Sequence, residues 1–113
     1  MRVPNPEQAI VDIIKLTDYC LNPGHPRGRH KARVFASALG ITIEDADRLR
    51  DALLQAVANR DARLGDVDSY GQRYVVDFRL DGPQGPVPIR ISWIIRTGDD
   101  APRFTSCYVL RRT

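Results

Sequence analysis

The sequence lacks most of the features that would place a chain outside the ordinary globular class. Its 113 residues include two cysteines, two histidines and one tryptophan, and its longest apolar stretch, Ala9–Ile14, is interrupted by Asp12. No run approaches the roughly 20 apolar residues of a membrane-spanning helix, which excludes such a segment. Cys20 and Cys107 lie outside any CxxC motif and are too few for a disulfide framework, so we expect two thiols in the core.

Targeting signals are also missing from the first residues. The sequence MRVPNPEQAI has neither the apolar core nor the small-residue cleavage site of a signal peptide. We therefore expect a cytoplasmic protein.

Lysine is scarce, and arginine supplies most of the positive charge. The chain has 15 Arg and 2 Lys and a formal net charge of +3. Arginine forks bind phosphate groups bidentately, so the composition permits a nucleic-acid partner, although a GC-rich genome produces the same bias. The distribution of the charges has to decide between these explanations.

The length and the ordinary composition predict a single domain over 1–113. Two prolines predict an extended lead-in over 1–8, followed by a helical part over 9–61 and a β-meander over 62–113. We see no low-complexity tract or repeat that would divide the chain further.

Apolar spacing predicts two or three helices in the first half of the chain. The first lies within Ala9–Leu21, where a strand over the first six residues is the alternative. A second helix begins near His30 and ends at Gly40, a residue suited to the left-handed cap of a helix. The third and clearest helix runs from about Ile43 to Arg60 with one continuous apolar face.

After residue 65 the apolar pattern changes to the alternation of half-buried strands. Clear strands are predicted over 74–80, 87–96 and 103–110, and a fourth, weaker strand over 62–69. Tight turns join them into an antiparallel meander that needs the helices as a cover, and a basic tail follows at 111–112. The expected fold class is α+β, with two to three helices packed on a three- to four-stranded antiparallel β-meander.

The most distinctive segment is LNPGHPRGRHKARVF, at the junction between a loop and the second helix. Six of nine consecutive positions are basic: His25, Arg27, Arg29, His30, Lys31 and Arg33. Cations at a helix N-terminus oppose the helix dipole, which indicates that they serve a polyanion rather than the helix. A solvated basic loop without function is the alternative.

Four strings resemble a small bacterial domain family of unknown function, in this order: LTDYCLNPGHPRGRHKARVFASALG, YGQRYVV, SWII and PRFTSCYVL. That family is similar to the C-terminal toxin domains of bacterial polymorphic toxins in the barnase, EndoU, colicin and RelE-like nuclease superfamily. The resemblance extends from about Ala9 to Leu110. It implies helices followed by a four-stranded antiparallel sheet, and RNA cleavage without a metal or other cofactor.

The resemblance also implies catalytic roles. In such nucleases the 2′-hydroxyl of the RNA attacks its own phosphodiester, helped by a base, an acid and cations. His30 would be the general base or acid, and Lys31 a phosphate ligand. The alternative is that His30 is simply an exposed residue at the start of a helix, without a catalytic role.

The last strand and the YGQRYVV string would supply the remaining groups. Arg103 would stabilise charge, Thr105 would position the phosphate, and Tyr108 would stack on a base or donate a proton. Tyr70 is a second candidate donor. As alternatives, Thr105 is an ordinary strand residue and Tyr108, like Trp93, a core aromatic. The residues expected to bind RNA around this centre are His25, Arg27, Arg29, Arg33 and Arg96.

Other classes of site fit the sequence less well. His25 and His30 are five residues apart across glycine and proline breaks, which matches no metal-site spacing. No GxSxG or Cys–His signature of a hydrolase occurs. The main rival to a nuclease is a non-catalytic interaction module, such as an immunity or antitoxin-like partner, and a small cognate protein partner is expected in either case. Convergence of His30, Lys31, Arg103 and Thr105 in one cleft would favour the nuclease, and scatter of these residues would favour the interaction module.

Overall fold

The computed structural model describes residues 1–110 and consists of an N-terminal helical part followed by a four-stranded antiparallel sheet. The α+β class predicted from the sequence is confirmed. The basic tail at 111–112 lies outside the described residues. No helix within residues 1–110 is long and apolar enough to cross a membrane.

The N-terminal segment is less extended than its prolines predict. Pro6–Gln8 form a 3-10 turn, because a proline at the start of a turn needs no N–H and already has the required φ. The chain then runs beside the sheet, where Ile10 donates its N–H to the Pro102 carbonyl (2.9 Å) and accepts from the Phe104 N–H (2.9 Å). The segment thereby covers part of one sheet edge.

The first helix is shorter than its apolar pattern predicts. Helix α1, Ile13–Lys15, begins where the Asp12 carboxylate accepts a hydrogen bond from the Ile14 N–H at 3.1 Å. It continues directly into a π-helical turn over Leu16–Cys20. The wider turn directs Leu16 and Cys20 into the core, where both are fully buried.

Helices α2, Arg29–Leu39, and α3, Ala46–Asn59, correspond to the second and third predicted helices. Gly40 ends α2 in the left-handed conformation at φ 68°, and its N–H donates to the Ala36 carbonyl at 2.9 Å. A 3-10 turn over Ile43–Asp45 leads into α3.

Strands β1, Ala62–Asp68, β2, Gly71–Gly82, β3, Gly85–Arg96, and β4, Pro102–Val109, pair in sequence order. β1 is the fourth strand, whose pattern in the sequence is weak. The pattern is weak because β1 lies at the edge of the sheet and exposes most of its side chains.

Helices α2 and α3 cover one face of the sheet, and the core lies between the two layers. Trp93 is fully buried there and packs edge-to-face on Phe104, with ring centres 6.0 Å apart. Trp93 is therefore a core aromatic. The other face of the sheet, which we call the outer face, carries half-exposed polar side chains such as Asp77, Arg90 and Ser92.

Candidate functional site

The loop before α2 is organised around His25. The Nδ1 atom of His25 accepts hydrogen bonds from the backbone N–H groups of Arg27 (3.0 Å) and Gly28 (2.9 Å). Its ring meets the Tyr19 ring edge-on, with centres 4.9 Å apart. Two donors on Nδ1 require that this nitrogen carry no proton. His25 thus holds the loop in shape, a role that its place in the basic segment does not reveal.

Gly28 allows the start of α2 to lie directly against the first helical segment. A Cβ atom at this position would collide with the carbonyl group of Tyr19. Only glycine permits this approach, which brings the basic start of α2 onto the π-helical turn.

Lys31, in the first turn of α2, is held by Tyr19. Its ammonium nitrogen donates a hydrogen bond to the Tyr19 hydroxyl at 2.6 Å and lies 4.6 Å from the centre of the Tyr19 ring. Both the hydrogen bond and the cation–π contact fix the position of a half-buried positive charge.

An open cleft lies between α2 and the end of β4. Its volume is about 270 Å³, and it is lined by His30, Lys31, Val34, Tyr108 and Val109. The structure therefore brings three of the predicted catalytic residues together. His30 is exposed at one wall, while Tyr108 is half-buried at the other.

The loop and the start of α2, which supply His30 and Lys31 to this cleft, are strongly cationic. No Asp or Glu occurs between residues 19 and 43. Among residues 1–110, no carboxylate forms an ion pair with Arg27, Arg29 or Arg33, which are all exposed. Positive charge on this segment is thus available to an anionic ligand, although Arg33 lines a separate cavity with Leu21 and Thr42.

The remaining predicted residues lie elsewhere. Arg103, near the start of β4, contacts the Asp99 carboxylate at 3.4 Å. It is five residues from Tyr108 along the strand, which corresponds to roughly 16 Å. Tyr70 is exposed in the turn before β2, and Arg96 is exposed at the end of β3, near the same end of the sheet as Arg103. These residues do not line the cleft.

Thr105 occupies a β-bulge in β4. Ser106 pairs with Ser92 and Phe104 with Trp93, which leaves Thr105 as the extra residue. Its hydroxyl donates to the Ser92 carbonyl at 3.0 Å. The bulge changes the local direction of β4 between Arg103 and Tyr108.

A row of interacting side chains on the outer face was not predicted from the sequence. Asp77 accepts two hydrogen bonds from Arg90 (2.9 and 3.0 Å) and one from Arg63 (3.1 Å). These contacts lower the pKa of Asp77, Arg90 contributing the most. Tyr108 pairs with Arg90 across the strands, so the row on the outer face ends at Tyr108, which is also one of the residues that line the cleft. The DGPQGP turn could have revealed the Asp77–Arg90 pair, because the hairpin that it closes fixes their register.

The two cysteines meet in the core close to Lys31. Both side chains are fully buried, and a hydrogen bond with Cys107 lowers the pKa of the Cys20 thiol. No group of three or more His, Cys, Asp or Glu side chains within residues 1–110 is arranged to hold a metal ion.

Comparisons with known proteins show a related fold. The chain superimposes with a TM-score of 0.68 on a chain of a solved structure titled contact-dependent growth inhibition toxin - immunity protein complex from Klebsiella pneumoniae 342. The match covers 95% of this chain and 97% of that one at 16% sequence identity, which shows a shared fold alone. A comparison with curated proteins returns no match.

A family model gives a more direct relationship, because it matches nearly the whole chain, over residues 2–111. The chain therefore belongs to the family described as domain of unknown function DUF6883.

Proposed function

We propose that this domain is a metal-independent endoribonuclease of the toxin type, and that the cleft between α2 and β4 is its active site. The observation that carries this proposal is the convergence of His30, Lys31 and Tyr108 in one open cleft, with the first two on a basic segment whose arginines form no ion pair with a carboxylate of residues 1–110. RNA cleavage requires proton transfer and stabilisation of the developing charge, which an acid–base group and a fixed cation supply, and a tyrosine can donate a proton or stack on a nucleobase.

His30 would transfer protons at the scissile phosphate. The RNA 2′-oxygen forms a bond to phosphorus while the bond from phosphorus to the 5′-oxygen breaks. The proton of the 2′-hydroxyl moves to a base, and the leaving 5′-oxygen receives a proton from an acid. The products are a 2′,3′-cyclic phosphate and a 5′-hydroxyl. The exposed imidazole of His30 can perform either proton transfer.

Lys31 would stabilise the negative charge that develops on the phosphate oxygens. Its ammonium group is already positioned by Tyr19, so little reorganisation is needed when the charge appears. An ammonium group is a compact charge that suits the equatorial oxygens of a phosphorane.

Tyr108 would hold a base of the RNA or donate a proton. The cleft also has the apolar walls Val34 and Val109, which suit the face of a nucleobase. Arg90 lies opposite Tyr108 on the neighbouring strand, and because its guanidinium group is paired with Asp77 it would help to position Tyr108 rather than add a free cation.

Arg103, Tyr70 and Arg96 have a different role in this proposal. Because they lie toward the other end of the sheet, they would contact flanking nucleotides rather than the scissile phosphate. The Thr105 hydroxyl donates a hydrogen bond to the Ser92 carbonyl. Thr105 would therefore stabilise the bulge in β4 instead of binding phosphate. Of the basic segment, Arg27, Arg29 and Arg33 would bind the RNA backbone, and His25 would hold their loop.

Two similarities support a toxin-type domain. The likeness of the chain's motifs to the barnase, EndoU, colicin and RelE-like superfamily points to RNA cleavage, and the structural neighbour comes from a toxin–immunity complex. That complex contains both kinds of protein. A cationic cleft favours the toxin, because an inhibitor of a nuclease has to present negative charge to a site built for RNA.

The second candidate is a non-catalytic interaction module on the same fold. The observation that favours it is that Arg103 and Thr105 do not line the cleft, since a nuclease was predicted to gather them there with His30 and Lys31. In that case the cationic cleft would bind a partner without chemistry.

Purified protein and a mixture of RNAs distinguish the two candidates. The assay contains EDTA, and the ends of the products are identified chemically. The wild type is expected to yield 2′,3′-cyclic phosphate ends, and His30→Ala to lose at least about 100-fold of the rate. Ser37→Ala, an exposed change on the same helix, serves as the control. Intact RNA with the wild type, or equal cleavage by His30→Ala, would contradict the proposal.

A further inference from the structure

Among residues 1–110, no strand pairs with the outer edge of β1, and this edge exposes apolar side chains. Leu64 and Val67 on β1 and Tyr70 in the following turn are 63%, 70% and 73% exposed, respectively. Three large exposed apolar side chains within seven residues mark a surface that another chain can cover. An unpaired strand edge also offers backbone donors and acceptors to a partner strand.

The backbone of β1 offers hydrogen-bonding groups at the same residues. Ala62 directs its N–H away from β2, to the Met1 carbonyl at 2.6 Å. In an antiparallel ladder, every second residue of an edge strand directs its backbone N–H and C=O groups away from the neighbouring strand. After Ala62, the next such residue of β1 is Leu64. The bulge after Leu64 inserts one residue, which makes Val67 the outward position that follows. Leu64 and Val67 therefore present both apolar side chains and free backbone groups.

The sequence of β1 is complementary to itself in one antiparallel register. When Leu64 of one copy lies opposite Val67 of a second copy, twofold symmetry places Val67 opposite Leu64. The same register places Arg63 opposite Asp68 at both ends and Gly65 opposite Asp66 in the middle. Apolar residues then meet apolar residues, and cations meet anions, as stable cross-strand pairs do.

The outward backbone positions agree with this register. Leu64 and Val67 both direct their N–H and C=O groups outward, so they can form a hydrogen-bonded pair across the two copies. Asp68 accepts from Arg73 at 2.7 Å and Arg63 donates to Asp77 at 3.1 Å, so each side chain already has one partner on β2. A carboxylate has further acceptor sites for a second arginine.

We infer that β1 is a homodimer interface, through which two copies of this chain form one continuous eight-stranded sheet. A twofold pairing uses the β1 edge of both copies, so no β1 edge remains for a third copy and the assembly is limited to a dimer. The opposite edge is hydrogen bonded to Ile10 over the start of β4, which limits growth there. Because one pair of edge strands buries less surface than a standard interface, the dimer is expected at roughly micromolar concentrations and above.

Light scattering coupled to size-exclusion chromatography tests this inference over a protein concentration range from about 5 to 500 μM. The wild type is expected to change from the monomer to the dimer mass. Leu64→Lys and Val67→Lys should each shift the midpoint at least about tenfold upward, because lysines would face apolar residues of the second copy. Ile14→Lys, at a position 57% exposed but away from β1, should dimerise like the wild type.

Thermal melting of dilute samples shows whether the variants fold, and exposed positions are expected to tolerate the changes. A wild type that stays monomeric over the whole concentration range would overturn the inference. The β1 edge would then be available to a strand of a different protein. A dimer that persists unchanged in both Leu64→Lys and Val67→Lys would place the interface elsewhere and would equally overturn it.

Discussion

The ammonium nitrogen of Lys31 lies 2.6 Å from the hydroxyl oxygen of Tyr19 and 4.6 Å from the centre of its ring. This pair joins α2 to the π-helical turn and fixes a cation at the edge of the cleft. Tyr19 does not line the cleft itself. It is therefore a positioning residue in the proposed nuclease.

Tyr19→Phe should lower the rate of RNA cleavage while the protein remains folded. The change removes the hydrogen bond and keeps the ring, and a bond to a charged group contributes about 1.5–3 kcal/mol, so kcat/KM should fall roughly 10- to 100-fold. Melting temperature and cleavage kinetics are measured together. Lys31→Ala should lose more activity than Tyr19→Phe, and wild-type kinetics in Tyr19→Phe would show that the pair has no part in positioning the cation.

Gly28→Ala should destabilise the fold, since the added methyl group meets the Tyr19 carbonyl. Forcing apart two packed backbone segments is expected to cost roughly 2–3 kcal/mol of unfolding free energy. Denaturant unfolding measures the difference. Gly24→Ala is the matched control, because its methyl group would approach only the Asn22 side chain at 3.3 Å. Equal stabilities of the two variants would mean that α2 does not need this close approach.

The contribution of Asp77 to stability should depend on pH. Hydrogen bonds from Arg90 and Arg63 hold the pKa of Asp77 below its usual value. A lowered folded-state pKa stabilises the protein fully above the unfolded-state pKa, and this stabilisation is lost as pH falls through the folded-state pKa. Asp77→Asn should therefore cost about 1 kcal/mol at pH 7, a small value because Asp77 is one-third exposed.

The difference between wild type and Asp77→Asn should narrow as the pH falls from about 5 toward 2. Urea unfolding at several pH values measures it. Asp66→Asn, at an exposed carboxylate with no ion pair among residues 1–110, should show little difference at any pH. A cost of Asp77→Asn that stays constant over this range would exclude ionisation as its cause.

The exposed arginines of the basic segment should contribute to RNA affinity without sequence preference. Arg29→Gln, made together with His30→Ala to prevent cleavage, should weaken binding similarly for all RNAs. It should also reduce the dependence of log K on log salt by about 0.7 for each phosphate that the protein no longer neutralises. Fluorescence anisotropy at several salt concentrations measures both effects. Arg48→Gln on α3, whose side chain is 71% exposed, is the control. An unchanged salt dependence in the Arg29→Gln variant would exclude Arg29 from the RNA interface.

The sequence predicts those parts of the fold that depend on local pattern. Apolar periodicity and Gly40 locate α2 and α3, and the change to alternation locates β2 to β4. The π-helical turn at Leu16–Cys20 was not predicted, because packing in the core rather than local preference selects it. β1 has a weak pattern since an edge strand buries few side chains.

The candidate site was also predicted only in part, because some of its residues are neighbours in the sequence and others are connected only by tertiary contacts. His30 and Lys31 are neighbours in the sequence, so their position at the start of α2 follows from the helix prediction. Tyr108 is brought to them by the packing of β4 against α2, which the resemblance implied but no spacing shows. Tyr19 and Arg90 were missed because only tertiary contacts connect them to the cleft.

Induced expression in a bacterial host tests the central claim most directly, with total RNA from wild type and His30→Ala compared on a denaturing gel. His30 is exposed, so the variant should accumulate as folded protein to the same level. The proposed nuclease predicts growth arrest and new RNA fragments with the wild type, and neither with His30→Ala. Healthy growth with intact RNA in cells that contain the folded wild-type protein would contradict it.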